Sequence, residues 1–148
     1  MKYAYRAAAL VLAGLALTAS PAAAKEHQVK MLNKGAEGLM VFEPSFIKVA
    51  PGDTVKFLAT SKGHNAESVA GMAPVGGTMF KGKINQEIVV RFAKPGLYGY
   101  KCLPHVGMGM VGLVQVGGAV NNPQAAVAAA KLPGLGKKKM AELLGKAR

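Results

Sequence analysis

Cysteine is almost absent: Cys102 is the only one in 148 residues. No internal disulfide is possible, and an unpaired thiol in an oxidising compartment is a liability unless something occupies it. The plain alternative is a small buried hydrophobe. Acidic residues are also few, 7 against 19 lysines and arginines, giving a net charge of +12. A chain this basic suits an acidic partner. Arginine itself is scarce, with only Arg91 and Arg148 beyond residue 24. That scarcity, together with the export signal described next, argues against nucleic acid, which charge alone would suggest. No apolar run reaches the ~20 residues that span a bilayer. No second metal set and no nucleophile–base pair is apparent, which weighs against a small enzyme. The sequence contains no internal repeat and no long disordered segment.

At the start of the chain, Lys2 and Arg6 precede the apolar run Ala7 to Ala19. Pro21 breaks the run, and Ala22, Ala23 and Ala24 are the small residues a signal peptidase requires. A membrane anchor is the competing reading, but the run is short and a cleavage site follows it directly. A lipid anchor would need a cysteine near the cut, and none is there. Residues 1–24 are therefore expected to be a cleaved signal peptide and the protein to be periplasmic, with no membrane anchor. Residues 25–148 then form one domain of 124 residues (148 less 24), with a charge of +10 once Lys2 and Arg6 are gone. That length supports a core without covalent staples.

Short strand-like segments follow one another: 27–31, 39–42, 46–49, 54–58, 87–92, 97–101 and 111–116, with turns such as Pro51-Gly52-Asp53 and Lys94-Pro95-Gly96 between them. This spacing predicts an antiparallel sandwich over about 25–118. The tail, about 121–147, changes character. Asn121 and Asn122 can cap a helix with Pro123 in its first turn, running Gln124 to Lys131. After Pro133-Gly134, Lys137 to Lys146 has Met140, Leu143 and Leu144 at helical spacing. Met140 is expected to fill the core, and Lys137 to Lys139 to form a solvated face that adds to partner attraction.

The segment around the thiol reads Tyr100-Lys101-Cys102-Leu103-Pro104-His105-Val106-Gly107-Met108-Gly109-Met110. A Cys, a His three residues on and a Met five beyond that lie on one tight loop. His64, 38 residues before Cys102, is the other imidazole. A thiolate, two imidazoles and a weak thioether suit both oxidation states of copper. Because the protein fills every strong position, a carrier of single electrons fits better than an enzyme. Zinc is the rival metal, drawing on His27 as a further ligand. His27, however, is close to the expected mature end, where fraying is expected, and reads as a surface histidine. Met108 and Met110 compete for the thioether role, and the pattern does not separate them. Asn65 is either a turn residue or a bridge from beside His64 to the Cys102 loop. Pro104 removes one N–H from that loop and stiffens it. A copper chaperone or store shares the export signal and the methionines, but would offer an open, multi-Met site without the separate His64.

These residues resemble the pseudoazurin family of type 1 blue copper proteins, within the cupredoxins. The resemblance runs through Met31-Leu32-Asn33-Lys34-Gly35, Met40-Val41-Phe42-Glu43-Pro44, Pro51-Gly52-Asp53-Thr54-Val55, Lys62-Gly63-His64-Asn65 and the Cys102–Met110 loop. It implies a mainly β fold, an eight-stranded Greek-key sandwich with two C-terminal α-helices. It implies one copper ion, Cu(I)/Cu(II), on His64, Cys102, His105 and Met110, with Met40 near the His105 ring. It also implies that the protein gives electrons to a dissimilatory nitrite reductase, its upstream donor unnamed; a monomer is expected. Leu103 and Val106 depart from residues common in the family. The edge of His105 is then the expected exit for the electron. Met40, Pro104, Val106, Gly107 and Met108 would form an apolar patch. Lys34, Lys62, Lys81, Lys83 and Lys101 would ring it for a transient acidic partner.

Overall fold

The computed structural model describes residues 23–118 and 122–147. The signal-peptide reading falls mainly on residues 1–22, outside the described residues. Eight strands come in chain order: β1 (Glu26–Gly35), β2 (Gly38–Glu43), β3 (Phe46–Val49), β4 (Thr54–Leu58), β5 (Glu67–Ser68), β6 (Ile88–Arg91), β7 (Gly96–Lys101) and β8 (Val111–Val116). Two helices close the chain, α1 (Pro123–Ala129) and α2 (Gly134–Lys146). The strands form two four-stranded sheets, ordered β2-β1-β4-β6 and β3-β8-β7-β5. The pairs β1·β4 and β3·β8 are parallel, so the sandwich is mixed rather than purely antiparallel. In each case the chain leaves the sheet and returns in the same direction, which a reading of successive hairpins does not anticipate.

Burial explains the pattern of each strand. On β4, Val55 and Phe57 are buried while Thr54, Lys56 and Leu58 are only half-covered, the alternation of a strand with one face inward. All six residues of β8 are buried, and so are the first five of β7. These strands are covered on both faces and so read as nearly continuous apolar runs, interrupted in β8 by the buried Gln115. Their inner face meets the other sheet in a core of Val29, Met31, Phe42, Phe57, Phe92, Tyr98 and Tyr100, which also takes in Cys102 and Met110. Their outer face carries a second core, where Leu97, Val111 and Leu113 pack with Ala125, Ala129, Met140 and Leu143 of the helices. Tyr100 and Gly112 are register partners, and a Cβ on Gly112 would lie 2.1 Å from the tyrosine Cζ. Glycine at 112 is what lets the large ring lie across the neighbouring strand.

Helix α1 starts as its sequence indicates: the Asn122 Oδ1 accepts the Ala125 N–H at 3.3 Å, with Pro123 in the first turn. Helix α2 begins at Gly134, three residues before the Lys137 start expected from its pattern. Gly134 and Gly136 are poor helix formers, but packing overrides propensity here. A Cβ on Gly134 would lie 2.5 Å from the Gly107 carbonyl oxygen, and one on Gly136 2.4 Å from that of Val106. The first turn of α2 therefore rests directly on the backbone of the loop between His105 and Met110.

Candidate metal centre

Strand β7 delivers the thiol. Cys102 follows its last residue, and the Cys102 N–H donates to the Met110 carbonyl at 3.0 Å. The His105 N–H reaches the Cys102 carbonyl at 3.2 Å, and the Met108 and Met110 N–H groups both reach the His105 carbonyl, at 3.0 and 3.2 Å. Gly109 takes the left-handed conformation, φ 95°, that turns the chain into β8. His64 comes from the connection between β4 and β5, and its carbonyl is held by the Asn85 N–H at 2.8 Å.

Three donor atoms converge. His64 Nδ1 and His105 Nδ1 are 3.1 Å apart, and the Cys102 Sγ is 3.7 Å from the first and 3.5 Å from the second. A circle through these atoms has a radius of about 2.0 Å, the length of a metal–imidazole bond, about 2.0–2.1 Å. His64, Cys102 and Met110 are fully buried, and His105 is half-buried. Burial, and then the nearby His105, hold the His64 imidazole below its ordinary pKa, which favours the neutral, metal-ready ring. Burial pushes the Cys102 thiol up, while the Asn65 and His105 backbone N–H groups pull it partly back. A thiolate in such a place calls for a cation beside it. One sulfur and two nitrogens, with no carboxylate among them, fit a soft or borderline metal such as copper.

The structure separates the two methionines: Met110 is fully buried, whereas Met108 is 51% exposed. His27 does not approach the site. It lies within β1, half-buried, with Nε2 2.8 Å from Asp53 Oδ2. The frayed surface residue expected there is instead ordered, and the zinc set that needed it does not assemble. The Asn65 Oδ1 accepts the Leu103 N–H at 2.7 Å, and its Nδ2 donates to the Gly82 carbonyl and to Glu67, each at 3.0 Å. Pro104 is exposed on the loop, and Met40, at φ 51°, packs against the core containing Cys102 and Met110. Asn33, which sequence reasoning passed over, accepts from His64 Nε2 at 2.7 Å. This bond puts the proton on Nε2 and leaves the Nδ1 lone pair facing the sulfur.

Around the centre, Lys34, Lys62, Lys81 and Lys83 are exposed. Lys81 and Lys83 flank a shallow groove with Leu103 and Ile84. Lys101 is not a free cation: its Nζ is 3.6 Å from Glu67 Oε1. Val106 is half-buried against the helical core rather than open in the patch. Leu103 and Met108, each 51% exposed, are the large apolar residues open on the loop, beside exposed Pro104 and Gly107. Beside Met108 lies a second groove, lined by Leu39, Leu135 and Lys138.

Two stacked sheets whose connecting loops bring a buried thiol together with two imidazoles define the class: a cupredoxin, a one-electron carrier built on a single type 1 copper. A profile of copper-binding proteins of the plastocyanin/azurin family matches residues 29–117. The chain is 48% identical over 132 residues to a pseudoazurin of Paracoccus pantotrophus, covering 89% of this chain and 90% of that one. It is 53% identical over 119 residues to a pseudoazurin of Methylorubrum extorquens, covering 80% of each. The solved pseudoazurin of Sinorhizobium meliloti superimposes with a TM-score of 0.78 at 46% identity, covering 82% of this chain and 95% of that one. The chain belongs to the pseudoazurin family.

Proposed function

We propose that this chain carries single electrons in the periplasm to an acidic dissimilatory nitrite reductase, as a monomer in short-lived complexes. In this reading His64 Nδ1, Cys102 Sγ, His105 Nδ1 and Met110 hold the copper, and residues 1–24 are the leader removed on export. When bound, copper supplies a reversible Cu(II)/Cu(I) couple and a strong thiolate charge-transfer absorption.

The protein supplies the frame. Asn33 fixes the proton on His64 Nε2, and Asn65 ties the His64 segment to the Cys102 loop through Leu103. The Cys102–Met110 backbone bond closes the loop on itself. Side chains pinned from both sheets keep one arrangement in either oxidation state, which keeps reorganisation small. Burial of His64, Cys102 and Met110 excludes water, while the half-buried His105 leads outward. A copper chaperone would pass its ion through open ligands, and three fully buried donors speak against that.

The observation that carries the proposal is this outward-leading histidine on a loop that exposes Met108 and Leu103, with Lys81 and Lys83, unpaired among the described residues, bordering the groove beside Leu103. The test is in two parts. Adding Cu(II) to the apoprotein is expected to give intense visible absorption that Cys102→Ser abolishes; colour surviving that substitution would remove the copper assignment. The reduced protein should then be oxidised by a purified acidic nitrite reductase in a second-order reaction; no oxidation above the rate with the apoprotein would remove the partner assignment.

A further inference from the structure

The turn Pro51–Asp53 carries a carboxylate that the copper centre does not use. Asp53 is only 7% exposed. Its Oδ1 accepts the backbone N–H of Lys25 at 2.9 Å. Its Oδ2 accepts the Ala50 N–H at 3.0 Å and lies 2.8 Å from His27 Nε2. Among the described residues, its only ion-pair partner is that histidine, charged only when protonated. A carboxylate so covered ordinarily faces a full cation.

Lys25 is also where the chain joins the sheet. Its carbonyl accepts the Thr54 N–H at 2.9 Å, and β1 begins at the next residue. Ala23 and Ala24 are exposed and outside every strand. The place is remote from the metal. From Lys25 to Asn33, which holds His64, is eight residues of extended chain, about 26 Å at ~3.3 Å each.

We propose that Asp53 is a built receptor for an α-ammonium group, the one created when the chain is cut between Ala24 and Lys25. This rests on reading residues 1–24 as a removable leader. Water adds across the Ala24–Lys25 peptide bond: Ala24 leaves with a carboxylate, and the Lys25 nitrogen becomes an amine that is protonated at neutral pH. The nitrogen already sits 2.9 Å from Oδ1. Processing therefore turns an amide hydrogen bond into a charge-assisted one without moving the backbone. The position of the cut matters. A chain beginning at Ala24 keeps only the amide bond, and one beginning at Glu26 loses the nitrogen altogether.

Three copper-loaded chains, starting at Ala24, Lys25 and Glu26, are compared by denaturant unfolding at neutral pH and low salt, each with and without Asp53→Asn. The Lys25 chain is expected to have an unfolding equilibrium constant about five-fold or more below the other two. Asp53→Asn should erase its advantage over the Ala24 chain. Equal stabilities, or an advantage that survives the substitution, would overturn the receptor. Where Asp53→Asn does not fold, the Lys25 chain with its terminal amine transaminated to a ketone takes its place; having lost the nitrogen, it should be no more stable than the Ala24 chain, and a stability equal to that of the unmodified Lys25 chain would overturn the receptor. Separately, the full chain is produced in an exporting bacterial host and its mature mass measured. A start at Lys25 supports the leader reading, and any other start removes that reading while leaving the stability series to judge Asp53.

Discussion

At the scale of single residues, the centre is held by groups that touch no other part of the function. Asn33 is the clearest. Its side-chain oxygen is the only described partner of His64 Nε2, at 2.7 Å. Asn33→Ala is expected to lower copper affinity by about 10–100-fold and to shift the visible band, whereas Asn33→Asp retains an acceptor and restores much of the affinity. Competition with a copper chelator and an optical spectrum check both. Tyr100 gives the opposite kind of prediction. Its hydroxyl is buried with no hydrogen-bond partner among the described residues, and burial holds its pKa far above the ordinary value. Tyr100→Phe should therefore leave the protein as stable or more stable, by about 1 kcal/mol, in denaturant unfolding. The candidate centre was legible in the sequence because Cys102, His105 and Met110 share one loop and their chemistry is distinctive, and the structure brings the first two together with His64. Asn33 was not, because an asparagine at a strand end looks the same whether it meets solvent or an imidazole 31 residues away.

At the scale of elements, the copper loop is pressed between β7, β8 and the first turn of α2. Gly136→Ala tests this. Its new Cβ would lie 2.4 Å from the Val106 carbonyl, within the loop that links His105 to Met110. We expect a loss of about 1–3 kcal/mol from overpacking and a shifted visible spectrum, since the loop must give way. An unchanged spectrum would mean that α2 yields instead. A second test concerns the seam between β1 and β4. N–H from Lys25, then His27 and the Ala50 N–H, hold the Asp53 carboxyl down to about 2 from an ordinary 3.8. The shift is downward, so this stabilisation is complete above about pH 4 and is lost as pH falls toward 2. Asp53→Asn should flatten that limb of an acid-unfolding curve. Most strands were readable from alternation and turns. Strand β5 was not, because two residues show no period. The early start of α2 was hidden because Gly134 and Gly136 spell a break locally, and only their contact with Val106 and Gly107 makes them helical.

At the scale of the whole molecule, what matters is which positive charges remain free. The sequence shows a net charge of +12 but not how its cations are committed. Lys101 lies beside Glu67 at 3.6 Å, and Lys139 beside Glu37 at 2.7 Å, so part of the charge is spent within the fold. Burial pulls the Glu37 carboxyl up, but hydrogen bonds from Lys139 and Ser45 hold it below its ordinary value, keeping that pair charged. Lys81 and Lys83 have no such partner among the described residues and border the groove beside Leu103. Steering by free charge raises association rates by about 10–1,000-fold at low salt, and the Debye length shrinks to about 3 Å at 1 M. The rate with an acidic reductase should therefore fall at least ten-fold between low salt and 1 M, while the electron-transfer step inside the complex changes little. Lys81→Glu with Lys83→Glu should lower the low-salt rate most of the way to its high-salt value and flatten the salt dependence. Lys101→Gln should do much less, because Glu67 already offsets that charge. A Lys101→Gln effect as large as that of the double reversal would show that the field acts through total charge rather than through the cations left unpaired beside the copper loop.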